Sequence, residues 1–172
     1  MSQTRRHDIA MERRAIGERG SEGFSLPELL VVIFLMGMFV VFGGPALNEA
    51  FKSYKVRSAA DNLLTDIRAL RYTAVANRAP ATMTINDQSN IAAKNQYSYT
   101  NTKGRLITVN MPDGVNIETT SAASITFNIY GSTGAGGSQT VVVSTPINDS
   151  RNDRYTISVT ATGTVSSAYS TF

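Results

Sequence analysis

Three hydrophobic patterns follow one another along the chain. From Leu29 to Leu47, nineteen residues carry no formal charge, which at helical rise is close to the span of a bilayer core. Past that point the apolar positions become one-sided. Leu47, Phe51, Tyr54, Ala60, Leu63, Leu64, Ile67, Leu70 and Ala74 recur in steps of three and four, with Lys52, Lys55, Arg57, Asp61, Asp66 and Arg68 mainly between them. The spacing predicts one helix that changes solvent, apolar all round at first and amphipathic against a folded core afterwards. Gly43-Gly44-Pro45 marks the change and predicts a kink or a melting point. It reads either as a joint or as a simple helix break at the membrane surface. Pro80 predicts the end of the helix near residues 77–78, because it disfavours helical geometry in the residue before it.

Beyond Pro80 the period shortens to two. Alternating runs at 81–86, 96–101, 105–110 and 115–119 predict short strands, and those at 124–130, 139–145 and 155–161 are the richest in Val, Ile, Thr and aromatics. Lys103-Gly104, Asp113-Gly114 and the glycine-rich stretch 131–137 predict turns. That stretch lacks the Gly-Lys-Ser/Thr ending and the following helix of a phosphate loop, so it is expected to be a mobile hairpin connection. The fold class expected is α+β, with a long N-terminal helix whose amphipathic half packs on one or two small antiparallel sheets made of seven strands. The domain organisation expected is a leader over 1–23, a transmembrane and assembly helix over 24–47, and a soluble domain over 48–172.

Composition narrows the chemistry. The 172 residues suit one domain, and the chain has no Cys and no Trp. Five Arg face four acids in residues 1–23, so of the net charge of +3 the remainder carries +2, too little to imply a nucleic-acid partner. The single histidine, His7, also lies in that leader. A chain without it has neither His nor Cys and lacks the commonest general base, nucleophile and zinc ligands. This argues for a non-catalytic protein without a cofactor or a metal. The Ser, Thr and Asn of the strands would suit an anchored enzyme or adhesin with a sticky surface, but they are equally well met by ordinary solvent-facing strand positions.

The residues just before the apolar run carry the candidate site. Gly23-Phe24-Ser25-Leu26-Pro27-Glu28 places one acid at the mouth of a membrane-length helix. A carboxylate there costs on the order of a few kcal/mol unless it is paired. A secretory signal peptide fits poorly, since the leader is long and of mixed charge and no small-residue cleavage site follows. A plain single-span anchor explains the apolar run and leaves Glu28 unexplained. If the chain is cut after Gly23, Phe24 becomes an ammonium-bearing terminus one helical turn from Glu28. The carboxylate could then pair with the amine of an axially shifted neighbouring copy and select a stagger between helices. Pro27 in the first turn is harmless, because its missing N–H has no intrahelical partner there.

Gly23, Phe24, Ser25, Leu26, Glu28, Leu29, Leu30, Val31, Val32 and Ile33 together resemble the N-terminus of type IV prepilins and type II secretion pseudopilins. The resemblance implies cleavage after Gly23 by a prepilin peptidase, N-methylation of Phe24 and subunit pairing through Glu28. It also implies a helix-loosening role for Pro45 beside Gly43 and Gly44. Pro27 departs from the Ile or Val more usual there. Farther on, residues 63–75 followed by a strand, Ile125-Thr126-Phe127 before the glycine-rich turn, Val141-Val142-Val143, residues 155–159 and Gly163-Thr164-Val165 are similar to the GspH/FimT group of minor pilins and pseudopilins. The function this implies is a minor pseudopilin in the periplasmic pseudopilus of a type II secretion system, or alternatively a minor pilin of a type IV pilus. The partners implied are other pilins through the N-terminal helix, the prepilin peptidase and an inner-membrane assembly platform. The location implied is the bacterial inner membrane, single-pass, with the C-terminal domain periplasmic. DNA capture, known for some FimT-like proteins, would need a basic track. Arg151 and Arg154, expected in a loop, are flanked by Asp149 and Asp153. Arg68, Arg71 and Arg78 are expected to be solvated or packed on the sheet, and residues 166–172 hold no base.

Overall fold

The computed structural model describes residues 24–134 and 138–172; the leader and its Gly23 lie outside the described residues. One helix, α1 (Leu26–Asn77), precedes eight strands: β1 (Ala81–Asn86), β2 (Gln96–Thr100), β3 (Leu106–Asn110), β4 (Asn116–Ile117), β5 (Ser124–Phe127), β6 (Gln139–Asn148), β7 (Arg151–Val159) and β8 (Val165–Thr171). The chain divides into two compact units, one ending at Phe42 and one beginning at Gly43.

In the first unit every described residue from Phe24 to Phe42 is exposed, as an apolar helix with no protein around it must be. Its length and composition are sufficient to cross a membrane. The helix continues unbroken through Gly43-Gly44-Pro45, so the reading of a simple break at that triplet does not hold.

The second unit holds the core. Its two antiparallel sheets have the orders β3-β2-β1-β5 and β4-β6-β7-β8. Val56, Ala59, Ala60, Leu63, Ile67, Leu70 and Ala74 form the buried stripe of α1. They join one hydrophobic cluster with Met83, Tyr97, Ile125 and Phe127 of the first sheet and Ile117, Val141, Val143, Ile157 and Val159 of the second. Strand alternation produces this directly: in β1, Met83 and Ile85 face inward while Thr82 and Thr84 do not.

Four expectations need correction. Leu47, Phe51 and Tyr54 are 60%, 64% and 70% exposed, because at helical spacing they lie opposite the stripe that begins at Val56. The stretch 131–137 is not a hairpin connection, since β5 and β6, the strands before and after it, belong to different sheets. Arg151 and Arg154 lie in β7 rather than in a loop. Among the described residues there are eight strands and not seven; β8 is an edge strand, exposed beyond Val165 and held by its pairing with β7.

Three polar clusters fix the elements on one another. Asp66 on α1 accepts hydrogen bonds from Tyr97 (2.6 Å) and Tyr99 (2.9 Å) of β2, tying the helix to the first sheet. Burial and the Asp66 carboxylate push the Tyr97 hydroxyl well above its ordinary pKa and Tyr99 up to about 12. Asp153, 2% exposed, accepts from Ser53 of α1 (2.6 Å), Tyr169 of β8 (3.0 Å) and Arg151 (2.9 Å). Lys52 Nζ donates to the Ile147 carbonyl at 2.9 Å nearby. Arg71 Nε donates to the Gly131 carbonyl (2.8 Å) where the turn at Gly163 presses on Gly131.

Candidate assembly site

Ser25 stands at the N-cap of α1 and its Oγ accepts the Glu28 N–H at 3.4 Å, a long bond in the position of half a capping box. The reciprocal half, in which the Glu28 side chain would return to the Ser25 N–H, is not made. Among the described residues the Glu28 carboxylate has neither a hydrogen bond nor an ion pair. The acid also sits in the first turn, where the partial positive charge of the helix N-terminus favours it. Local helix chemistry therefore tolerates Glu28 without using its oxygens, and both remain available to a cation brought from outside the chain. Phe24, the residue that a cut after Gly23 would expose, is itself exposed and precedes the helix.

Among the described residues nothing packs against the glycines of the helix. A Cβ added at Gly37, Gly43 or Gly44 would meet nothing within 4 Å. Each glycine weakens a helix by about 1 kcal/mol relative to alanine, and Pro45 by about 3 kcal/mol, with its N–H missing from the ladder. The triplet is thus the weakest point of α1 by propensity alone. Leu47, Phe51 and Tyr54, on the far side from the core stripe, extend the exposed apolar surface beyond it. That extension is what sequence reasoning missed. The signal was present, since at 100° per residue these three fall about half a turn away from Leu63 and Ile67.

The basic residues weighed for nucleic acid are largely occupied. Arg154 makes a two-pronged ion pair with Glu118, both N···O distances being 3.0 Å, and lies 4.2 Å over the Phe172 ring. Arg151 is engaged by Asp153 and Tyr169, which raise its pKa further. Arg71 holds the Gly131 turn. Arg68 and Arg78 are exposed.

The model of the family described as type II transport protein GspH matches residues 59–163. No curated protein sequence matches the chain. The fold is similar to that of the type IV minor pilin FimU of Pseudomonas aeruginosa (strain PAO1) in its P21 crystal form, at 15% identity and a TM-score of 0.50, covering 66% of this chain and 87% of that one. The P65 form of the same pilin gives 15% identity and a TM-score of 0.48, covering 65% and 91%. Its helix, its two antiparallel sheets and the family match over residues 59–163 together place this pilin-like chain in the family of type II transport protein GspH.

Proposed function

We propose that the chain is a non-catalytic minor pseudopilin. It is cut after Gly23 by a prepilin peptidase, methylated on Phe24, and drawn from the inner membrane into the periplasmic pseudopilus of a type II secretion system. The observation that carries this reading is the surface of α1. An apolar stretch with every residue from Phe24 to Phe42 exposed is headed by a carboxylate with no described partner. Such a surface is stable only when covered, first by lipid and then by other apolar helices. In the second setting Glu28 meets the new terminal amine of a neighbour, and in a low dielectric that pair discriminates strongly between registers. Leu47, Phe51 and Tyr54 prolong the covered face past the glycine-proline joint.

The fold likeness to FimU favours a second reading, a minor pilin of a type IV pilus, which shares the processing and the helix surface. Deleting the protein in its host separates the two. Loss of exoprotein secretion with normal piliation supports the pseudopilin, and the reverse result supports the pilin.

A further inference from the structure

Four strands form the edges of the two sheets: β3 and β5 of the first, β4 and β8 of the second. A sheet edge offers unpaired backbone N–H and C=O groups to any extended chain, and proteins ordinarily guard it with charge, proline, a bulge or shortness. β4 and β5 are short, with two and four residues. β3 has five residues, bordered by Arg105 on one side and Pro112-Asp113 near the other. β8 has seven, and the whole stretch from Tyr155 to Phe172 contains no charged side chain and no proline. Its register with β7 runs from Val165 to Thr171 without a bulge.

Bonded pairs at both ends of the β7–β8 ladder fix which way each backbone group points. Asn152 and Phe172 exchange both N–H to C=O bonds, at 2.8 and 3.2 Å, and the Thr160 N–H reaches the Thr164 carbonyl at 3.0 Å. In an antiparallel ladder such pairs alternate with non-bonded ones. Ser166, Ala168 and Ser170 therefore turn their N–H and C=O toward β7, while Val165, Ser167, Tyr169 and Thr171 turn theirs away from it. Four N–H donors and four carbonyls thus stand along the outer side of β8. Among the described residues no backbone bond outside the ladder takes them up.

The edge is fixed along its length. Tyr169 donates to Asp153 at 3.0 Å and accepts from Arg151 at 3.2 Å, and its ring lies 4.9 Å from that of Tyr155. Arg154 lies 4.2 Å over the Phe172 ring, and the Thr164 N–H donates to Thr160 Oγ1 at 3.0 Å. A strand held at both ends loses little further freedom when another strand pairs with it.

We propose that β8 binds an extended, uncharged segment of another protein chain, which adds to the second sheet as a further strand. Backbone pairing supplies the attraction, and alternate side chains of the incoming strand lie beside Val165, Ser167, Tyr169 and Thr171. The edge selects the chemistry. A charged strand gains no counter-ion from residues 155–172, whereas Thr, Val and aromatic residues pack well beside Val165 and Tyr169. A second copy of this chain fits less well. Antiparallel pairing of two β8 edges places a two-fold axis normal to the sheet, and that axis reverses the direction of the helix packed on it. Pairing of Glu28 with a neighbour's terminal amine, as proposed above, needs parallel helices. The choice of a different chain therefore rests on the pseudopilin reading, while the edge itself involves no residue of the assembly helix surface.

The test uses the full chain in detergent micelles and a short fluorescein-labelled peptide of alternating Thr and Val, with binding followed by anisotropy. The same peptide with Glu in place of Val serves as the charged probe. The Thr/Val peptide should bind and should slow amide hydrogen exchange at Val165, Ser167, Tyr169 and Thr171. Ser167→Pro removes one outward N–H and leaves the bonds to β7, so it should weaken binding about tenfold with the melting temperature little changed. Ser167→Lys keeps every backbone bond and guards the edge with a charge, and it should weaken binding as well. The Glu peptide should bind about tenfold more weakly than the Thr/Val peptide. No binding of the Thr/Val peptide, binding indifferent to both substitutions, or equal binding of the Glu peptide would each overturn the proposal. Slow exchange at the same four amides without any peptide, in a chain that sediments as a dimer, would overturn it in favour of a second copy. A chain that binds the peptide yet still begins at Met1 in its host would count against the pseudopilin reading alone.

Discussion

Glu28 and Gly163 show two ways in which a single residue matters here. Glu28 is tolerated by its helix end without being used by it, so its removal should cost the folded chain little. We expect Glu28→Ala to be cut like the wild type, read as the same mobility shift on a gel, yet to be poorly incorporated beside neighbouring subunits. Normal incorporation would remove the register argument. A bulky replacement of Gly23 should instead leave an uncut precursor. Gly163 is the opposite case, structural throughout. Its φ of 82 and the Gly131 carbonyl leave no room for a methyl group, which would land on that oxygen and crowd Arg71. Gly163→Ala should destabilise the second unit by roughly 2 kcal/mol or more, measured by denaturant unfolding, through strain at the turn and loss of the Arg71 anchor.

Among the elements, α1 divides into a part the fold needs and a part it does not. Substituting Gly43 and Gly44 together by Ala meets no steric obstacle and should strengthen the helix by about 1 kcal/mol per site. If the triplet works as a joint, this stiffer helix should be processed normally and assemble less well; undiminished assembly would show that no joint is needed. Asp153 binds α1 to β7 and β8, and its titration should be visible. Burial disfavours its carboxylate, but the hydrogen bonds from Ser53, Arg151 and Tyr169 prevail and hold its pKa below the ordinary 3.8. A depressed pKa contributes stability that is present above 3.8 and lost as pH falls through the folded value. Acid unfolding should therefore steepen below that pH, and Asp153→Asn should remove that part of the pH dependence. These elements also mark what could be read in advance. The end of α1 and the whole of β1 were legible, because Pro80 and clean alternation speak for themselves. The strand β8 was not, since Val165-Ser-Ser-Ala-Tyr-Ser-Thr171 has one partly buried apolar residue and owes its conformation to pairing with β7. The start of β7 was hidden for a related reason: Arg151, Asp153 and Arg154 read as a loop, yet Arg151 and Asp153 pair with each other along the strand, Ser53 of α1 donates to Asp153, and Arg154 is neutralised by Glu118, distant in sequence. Leu47, Phe51 and Tyr54 looked like core because their steps of three and four define a face, but that face lies half a turn from the stripe of Leu63 and Ile67 and is exposed.

At the scale of the whole molecule, one unit closes its own core and the apolar helix that precedes it closes nothing by itself. The GspH family match, over residues 59–163, lies within the unit that begins at Gly43, and Phe24 and Glu28 lie in the unit that ends at Phe42. The most direct test of their connection is the mass of the N-terminal peptide of the protein taken from its host membrane. The account predicts a chain that starts at Phe24 and carries one methyl group on its amine. A chain that still begins at Met1, or that begins beyond Leu47, would contradict it.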